Sequence, residues 1–173
     1  TLSPSSAASD VYKRQVYLLR LKYKSVRELN QTGDFMKIIR LAGQDARLYE
    51  LVAPLVMSAP VLRENNNYPY KTSRRHVWLL AIDDNTVQGF VPIEVKDEQA
   101  IVNNYYVSGN DSEILSALLQ ETVRLFGSDR ALLSVTQTKH IPVFEKEGFH
   151  TIRMWKKYAK MEYGENEKGE KCL

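Results

Sequence analysis

Cysteine is almost absent from this chain: of its 173 residues one is cysteine, and that is the penultimate residue, Cys172. An intramolecular disulfide is therefore excluded, which favours a reducing, cytoplasmic compartment. Histidine is scarce as well, with three examples in the chain. Neither residue type recurs at the spacing of a metal site, so we predict that the protein binds no metal.

Long hydrophobic runs are also missing. A membrane helix needs about 20 consecutive apolar residues, and no run in this sequence approaches that length. Charge of one sign is in small excess, with 24 basic and 21 acidic residues. Six of the basic and three of the acidic residues fall in residues 1–35, which leaves 18 of each in residues 36–173. We therefore expect no membrane partner and no long-range attraction of nucleic acid.

Three regions differ in composition. Residues 1–15 have neither helical nor strand periodicity and resemble translated adapter peptides that contaminate sequencing reads. Residues 33–36 are compatible with a bacterial ribosome-binding site followed by a start codon at Met36. We expect residues 1–35 to be a non-native, disordered leader, with a native N-terminal helix as the alternative. A single domain, 36–163, then precedes a charged tail, 164–173, which we expect to be disordered.

The domain mixes strand and helix signals. Runs rich in β-forming residues predict strands, and apolar residues at helical spacing predict helices. The predicted strands are 36–41, 76–82, 87–95, 99–107, 131–136 and one or two within 149–161. The predicted helices follow Asp45, span 59–64, cover the apolar stripe 114–126 and span 141–147. This order indicates an α/β domain whose middle strands form an antiparallel meander.

Several single residues refine these boundaries. Asp45 is a good N-cap for the first helix, and Pro54 should kink or end that helix. Pro92 cannot donate a ladder hydrogen bond, so it predicts an edge strand or a bulge. Asn110 with Glu113 three residues later suits a capping arrangement for the third helix.

Three short segments resemble those of the GNAT acyltransferases. Val87-Gln88-Gly89-Phe90 is similar to the family's central strand, and Tyr105-Tyr106-Val107 is similar to the strand end before the cofactor loop. The most specific match is Phe144-Glu145-Lys146-Glu147-Gly148-Phe149, which resembles the family's late Tyr-Glu-Lys-Leu-Gly-Phe segment. The resemblance covers residues 36–163 and implies a mixed, mostly antiparallel central sheet flanked by helices. It also implies direct transfer of an acetyl or other acyl group from acyl-CoA to an amine of a small molecule or protein.

The resemblance places the cofactor loop at the start of the third helix. The family pattern, Arg/Gln-x-x-Gly-x-Gly/Ala, lets backbone N–H groups approach the CoA pyrophosphate at a helix N-terminus. Here Gly109 remains, whereas Asp111 and Glu113 bring negative charge to that point. A capped helix start without phosphate binding is the alternative interpretation. The cofactor-binding residues that the resemblance implies are Tyr106, Val107, Ser108, Gly109, Asn110, Asp111, Ser112, Gln137 and Phe144.

Direct transfer also needs proton-transfer groups. The amine must lose a proton, the oxyanion needs a donor, and the departing thiolate benefits from an acid. Glu94 is the candidate base, or a solvated strand residue, and His140 is a candidate relay near neutral pH, or a surface cap. Many family members use the tyrosine of the late segment as the acid, and this chain has Phe144 there. Water or a hydroxyl of Tyr105, Tyr106 or Tyr158 can fill the gap, and our catalytic candidates are Glu94, Tyr106 and His140.

Two other functions remain open. The lost cofactor glycines and Phe144 favour a non-catalytic GNAT-like binding module. The segment 68–76 mixes aromatic and basic residues, which suits a nucleic-acid-associated GNAT-like protein. Asn103 and Asn104 interrupt an apolar strand, and they either line a substrate cleft or flank a bulge. A monomer or a homodimer fits the sequence equally well.

Overall fold

The backbone forms one mixed sheet with helices on both faces. The computed structural model describes residues 26–27 and 36–165. The strands in these ranges are β1 (Val26–Arg27), β2 (Lys37–Ala42), β3 (His76–Asp83), β4 (Thr86–Val95), β5 (Gln99–Val102), β6 (Tyr106–Val107), β7 (Ala131–Gln137), β8 (Phe149–Met154) and β9 (Tyr158–Tyr163). The helices are α1 (Ala46–Val56), α2 (Ala59–Glu64), α3 (Ser112–Phe126) and α4 (Ile141–Lys146), with 3-10 turns at Ser108–Asn110 and Thr138–His140.

The strands lie in the order β1-β2-β3-β4-β5-β7-β9-β8, and β6 pairs with β4. Strands β5 and β7 are parallel, because the chain crosses through α3 between them, and the other recorded pairs are antiparallel. The predicted α/β domain with a mostly antiparallel sheet is therefore confirmed. The predicted meander is confirmed as well, in β3, β4 and β5.

Side chains that alternate along the strands pack into two separate cores, one on each face of the sheet. On one face, which we call the α1 face, Leu48 and Val52 of α1 pack with Trp78, Leu80 and Phe90 of the sheet. The opposite face, the α3 face, holds the larger core, in which α3 and α4 cover the sheet. Its members from helices and sheet include Leu79, Val91, Ile93, Tyr105, Leu115, Leu118 and Phe144. The alternation places neighbouring residues of β6 on different faces, which matters for the site below.

Most helix boundaries follow the sequence signals. Asp45 caps α1, since its side chain accepts a hydrogen bond from the Arg47 N–H. The α1 helix passes through Pro54 and ends at Val56, so the predicted end at Pro54 is wrong, and the alternative, a kink, stays a prediction. The prediction for α3 was wrong by one residue. Its cap is Asp111 rather than Asn110, because the Asp111 carboxylate accepts from two first-turn amides.

The predicted strand 99–107 is wrong, since it is interrupted by residues 103–105. On β4, Ile93 pairs with Val102 and Phe90 pairs with Tyr106, so two β4 residues oppose three in the interruption. Pro92 is one of those two. The predicted edge location is wrong, because β4 lies inside the sheet. The alternative, a bulge, is confirmed in the strand opposite Pro92.

The predicted leader and tail fall almost entirely outside the described residues. Within the leader, the backbone of Val26–Arg27 pairs with β2 opposite Lys37 and Ile38. The predicted tail begins at residue 164, of which residues 164–165 are described. No helix in the described ranges is long and apolar enough to cross a membrane.

Gly89 allows three elements to approach closely. A Cβ at this position would lie 2.8 Å from Val107 Cγ1, 2.9 Å from the Tyr106 carbonyl oxygen and 3.3 Å from Ile114 Cγ2. We expect Gly89→Ala to cost about 1–3 kcal/mol in the free energy of unfolding, because β6 or α3 must move away. Urea denaturation compared with Gln88→Ala measures this cost. Equal stability of the two variants would contradict the close approach.

Candidate active site

The sheet opens on one side of its parallel strand pair. Pairing of β5 with β7 runs from Gln99 and Ala131 to Val102 and Ser134. Beyond that point the chain enters the interruption, and β6 pairs with β4 in the described residues. Residues 135–137 of β7 continue to pair with β9 on the other side, ending at Gln137 opposite Tyr158, and no pairing with β6 is recorded for them among the described residues. The interruption therefore separates β6 from the end of β7, and we call this separation the opening.

A buried polar cluster spans the opening on the α3 face. The Tyr105 hydroxyl lies 2.5 Å from Thr136 Oγ1 and 2.7 Å from His140 Nδ1. It also accepts a longer hydrogen bond, 3.4 Å, from the Gln137 N–H. Tyr105 is 5% exposed, His140 6% and Thr136 0%. The Tyr105 hydroxyl thus connects the interruption to the end of β7 and to the turn that precedes α4.

Burial sets the charge states of this cluster. Burial lowers the pKa of His140 to about 4, and the charge of Lys139 adds to the effect. Burial also raises the pKa of Tyr105, against the opposing effect of its hydrogen bonds to Thr136 and Gln137. Both side chains are therefore neutral at pH 7. A surface or capping role for His140 is wrong, because the ring is buried and makes no capping hydrogen bond.

The second imidazole nitrogen, His140 Nε2, is buried without a hydrogen-bond partner among the described residues. A buried donor or acceptor without a partner costs about 1–3 kcal/mol. Such a group in a folded protein is therefore a place to expect a bound ligand or water. In this protein it lies next to the opening.

Phe144 is fully buried against the same cluster. Its ring centroid lies 5.6 Å from that of Tyr105 and 5.2 Å from that of Phe149. Its side chain is 0% exposed, so the ring is part of the larger core. The ring of Tyr105 thus packs on the residue that lacks a hydroxyl. The predicted contact of Phe144 with a cofactor stays a prediction.

The loop before α3 is short and turns sharply. Ser108–Asn110 form a 3-10 turn in which Gly109 has φ +64° and open space around its Cβ position. Asp111 Oδ1 accepts from the N–H groups of Glu113, at 2.8 Å, and Ile114, at 3.2 Å. Those amides are the groups that an anion would otherwise meet at a helix N-terminus. The carboxylate thus occupies part of the predicted phosphate cradle.

One cation lies across the opening from this loop. Lys139 follows the end of β7, and its Nζ donates to Asn110 Oδ1 at 2.5 Å. No local pattern in the sequence marks Lys139, which stands next to His140 in the chain. The bond connects the two sides of the opening at the N-terminal end of α3. A phosphate bound there would meet a positive charge that the glycine-poor loop does not supply.

On the α1 face, the end of α2 crosses the opening. The Asn65 side chain donates to Asn104 Oδ1 at 3.2 Å, on the β6 side. From the β7 side, Gln137 Nε2 donates to the Glu64 carbonyl at 2.9 Å. Asn66 Nδ2 donates to the Tyr158 hydroxyl at 2.5 Å, on β9. Residues 64–66 therefore form a rim over the opening, and the Gln137 amide, a predicted cofactor contact, is bonded to this rim.

The other two predicted catalytic residues lie away from the buried cluster. Glu94 shares the α1 face with Phe90 by alternation along β4, and its carboxylate lies 3.7 Å from Lys96 Nζ. Tyr106 packs on Phe90, with ring centroids 5.6 Å apart, on the same face. The structure therefore brings His140 together with Tyr105 on the α3 face, and Glu94 and Tyr106 share the other. Asn103 and Asn104 lie within the interruption itself, which agrees with the bulge interpretation of these two residues.

The aromatic and basic segment 68–76 is partly built into the domain. The Tyr70 ring packs edge-on to Phe90 at 5.1 Å, and Thr72 accepts from the Trp78 indole at 3.0 Å. Arg74 and Arg75 are exposed. Tyr68 and Lys71 are exposed as well, so aromatic and basic side chains of this segment are both available for a polyanion.

Comparison with known proteins gives matches to solved structures. No protein-family model and no curated protein matches the chain. Escherichia coli ElaA is 13% identical over 75% of this chain and 99% of its own, with a TM-score of 0.60. An acyl-CoA N-acyltransferase from Pseudomonas aeruginosa is 15% identical over 73% of this chain and 99% of its own, with a TM-score of 0.54.

A third structure was solved with coenzyme A bound. It is the PaiA N-acetyltransferase from Thermoplasma acidophilum, 15% identical over 74% of this chain and 98% of its own, with a TM-score of 0.50. These identities are low, so the likeness lies in the arrangement of strands and helices. This likeness establishes that the chain has the GNAT acyltransferase fold. The interrupted strand, the crossover through α3 and the opening beside the parallel pair agree with it.

Proposed function

We propose that the protein transfers an acetyl or other acyl group from acyl-CoA directly to an amine. The observation that carries the proposal is the buried Tyr105–Thr136–His140 cluster at the opening of a GNAT sheet. Fold does not fix function, so the argument depends on these side chains. They supply a protonated hydroxyl and a neutral imidazole where the sheet separates.

The residues around the opening suit acyl-CoA as a substrate. Lys139 and the turn at Ser108–Asn110 would hold its phosphate groups, while the Asp111 carboxylate opposes them. The thioester would then reach the α3 face of the opening, beside Tyr105. The residues present therefore fit the substrate, with a weaker phosphate site than a glycine-rich loop gives.

Each step of direct transfer has a candidate group. The amine nitrogen forms a bond with the thioester carbonyl carbon, and its proton passes to a base, for which Glu94 on the α1 face remains the candidate. Collapse of the tetrahedral intermediate breaks the carbon–sulfur bond. The Tyr105 hydroxyl then donates its proton to the leaving thiolate, in place of the hydroxyl that Phe144 lacks. Tyr105 is reprotonated from solvent, and His140 and Thr136 hold its hydroxyl in position.

Isothermal titration of CoA and acetyl-CoA into the full chain tests the first requirement. Micromolar affinity, about −8 kcal/mol, supports the proposal and justifies a screen of amine acceptors for thiol release. A folded protein that binds neither compound contradicts it. That outcome favours a non-catalytic module. The specific support for this second function is that the Asp111 carboxylate already accepts hydrogen bonds from the first amides of α3.

Asp111 offers a variant that should improve binding. Asp111→Asn keeps a capping side chain of equal quality but removes its negative charge, so we expect about fivefold tighter binding of CoA. The free energy of unfolding should change by less than about 0.5 kcal/mol. Titration calorimetry and urea denaturation give the two values. Weaker binding by this variant would place the phosphates elsewhere.

Substitution of Lys139 should have the opposite effect, a weaker binding of CoA. Lys139→Met keeps the length of the side chain but removes the cation, and we expect CoA affinity to fall about tenfold or more, because a charge-assisted hydrogen bond is lost. The weakening should shrink as salt rises, since salt screens the interaction. The control is Lys146→Met, on α4. An equal loss in both variants would show that overall charge, and not Lys139, determines affinity.

A further inference from the structure

The imidazole of His140 has a second nitrogen that the reaction steps above do not use. Its Nδ1 is bonded to the Tyr105 hydroxyl at 2.7 Å. Its Nε2 is buried and has no hydrogen-bond partner among the described residues. Buried polar atoms in folded proteins are nearly always bonded, so this atom is expected to meet a partner that is not part of the chain. Which partner fits depends on whether Nε2 carries a hydrogen.

The position of that hydrogen follows from the bonds around the Tyr105 hydroxyl. A phenolic hydroxyl has one hydrogen to donate and an oxygen that accepts. The Gln137 N–H can only donate to that oxygen. The two remaining neighbours are Thr136 Oγ1 and His140 Nδ1. One of them therefore accepts the Tyr105 hydrogen, and the other donates to the Tyr105 oxygen.

Thr136 is the better donor of the two. If it donates to Tyr105, both hydroxyl hydrogens make short bonds, at 2.5 Å to the Tyr105 oxygen and at 2.7 Å to His140 Nδ1. In the reverse arrangement the Thr136 hydrogen is left with the Gln137 carbonyl at 3.5 Å, which is beyond the usual length of an O–H···O bond. Nδ1 is therefore assigned as the acceptor. Because the ring is neutral at pH 7, its single hydrogen lies on Nε2, which is a buried donor without an acceptor.

The donor lies next to the place where the thioester would react. Through Nδ1 the ring holds the Tyr105 hydroxyl, which is our candidate acid for the departing sulfur. The carbonyl carbon of a thioester is bonded directly to that sulfur, so its oxygen lies close to the same hydroxyl. A relay of protons through the ring would need a proton donor or acceptor at Nε2, and the described residues offer none. A carbonyl oxygen is the kind of partner that an N–H group needs.

We propose that His140 Nε2–H donates a hydrogen bond to the carbonyl oxygen of the acyl-CoA thioester and stabilises the oxyanion formed from it. The inference rests on the proposed function and adds to it a side chain that contacts the reacting group. When the amine nitrogen bonds to the carbonyl carbon, an electron pair moves to the oxygen, where Nε2–H meets the negative charge. When the carbon–sulfur bond breaks, that pair re-forms the carbonyl group. His140 keeps its hydrogen throughout, which suits a ring that stays neutral.

The turn that carries His140 also carries the candidate phosphate contact. Lys139 and His140 both belong to the 3-10 turn Thr138–His140, and Lys139 Nζ is bonded across the opening to Asn110. A phosphate that takes Lys139 away from Asn110 acts on the same turn. Binding of CoA is thereby coupled to the exposure of Nε2 to the thioester.

Two ligands that differ in the carbonyl oxygen test this contact on the full chain. Acetyl-CoA has the oxygen, and S-ethyl-CoA, a thioether of the same size, lacks it. We expect titration calorimetry to show about fivefold tighter binding of acetyl-CoA, the contribution of one hydrogen bond to a buried donor. Equal affinities for the two ligands overturn the proposal.

Two substitutions of His140 separate its two nitrogens. By bond count the amide of His140→Asn reaches the position of Nδ1 and can still bond to Tyr105, but it leaves nothing at the position of Nε2. The amide of His140→Gln reaches the position of Nε2. The preference for acetyl-CoA should therefore disappear in His140→Asn and persist in His140→Gln, and kcat should fall about 100-fold or more in His140→Asn. A wild-type preference in His140→Asn, or its loss in both folded variants, overturns the proposal.

An NMR measurement on the wild-type protein needs no His140 variant to fold. With ¹⁵N-labelled histidine, the His140 ring should show a bare Nδ1 and a protonated Nε2, and substitution of the other two histidines, His76 and His150, assigns its signals by elimination. Acetyl-CoA should move the Nε2–H signal downfield, and S-ethyl-CoA should not. A protonated Nδ1, or the same response to both ligands, overturns the proposal and leaves a bound water as the partner of Nε2.

The same measurements distinguish this proposal from the proposed function. Acyl transfer to an amine together with equal affinity for the two ligands supports the reaction and overturns the role of His140. A preference for acetyl-CoA that requires Nε2, in a protein that acylates no amine, supports the contact and contradicts the proposed reaction. A folded protein that binds neither ligand contradicts both.

Discussion

Replacement of Tyr105 by phenylalanine is expected to lower kcat for acyl transfer about 100-fold or more, the usual contribution of a general acid. The affinity for acyl-CoA should stay within about twofold, because the ring remains and the hydroxyl acts after the substrate is bound. The hydroxyl lies within hydrogen-bond distance of Thr136 and His140, the ring packs on that of Phe144, and burial raises the pKa of Tyr105 and so holds it protonated. The measurements are steady-state thiol release and titration calorimetry.

A purely structural role for Tyr105 predicts a different pattern. Loss of its hydroxyl leaves buried Thr136 and His140 without their partner, which costs about 1–3 kcal/mol of stability. Thr136→Val disturbs the same cluster but keeps the tyrosine hydroxyl, so it should lower stability by a similar amount and kcat by less than about tenfold. Equal losses of kcat in the two variants would remove Tyr105 from the chemistry. Tyr106→Phe, on the other face, should also retain most activity.

The order of elements was predictable because it depends on local patterns. Alternation in 76–95 and the apolar stripe of α3 are properties of neighbouring residues, and so is the Asp45 cap. The interruption at 103–105 was not predictable in the same way, because Tyr105, Tyr106 and Val107 continue a good strand sequence. It depends on the β4 partner, where Pro92 lies opposite, and on Asn104, which has φ +53°.

The candidate site was predictable in part for the same reason. Sequence drew attention to His140 and to the missing hydroxyl at Phe144, since both are single-position signals. The partners of Tyr105 come from β7 and the following turn, more than thirty positions away, and no local pattern joins them. Lys139 and Asn66 were missed because surface lysines and asparagines are common, and only the fold shows that they cross the opening.

The buried imidazole also predicts how stability depends on pH. The pKa of His140 is lowered to about 4 from its ordinary value of 6.5, chiefly by burial. Between these values the unfolded chain binds a proton that the folded protein does not. The contribution of neutral His140 is therefore complete above pH 6.5 and is lost as the pH falls toward 4. Over that interval we expect the free energy of unfolding to decrease by about 3 kcal/mol from this residue.

Urea denaturation from pH 7 to pH 4 measures this decrease, and His140→Gln isolates it from the titration of carboxylates. The variant should lack this contribution of about 3 kcal/mol, which corresponds to a pKa difference of about 2.5, and its stability should depend less steeply on pH. Because the charge of Lys139 is the second cause of the lowered pKa, Lys139→Met should raise the His140 pKa modestly, as an NMR titration of the ring would show. Parallel pH profiles for wild type and His140→Gln would mean that the ring accepts its proton in the folded state. His140 Nε2 would then be accessible to solvent, and the buried neutral cluster on which the proposed acid depends would be lost.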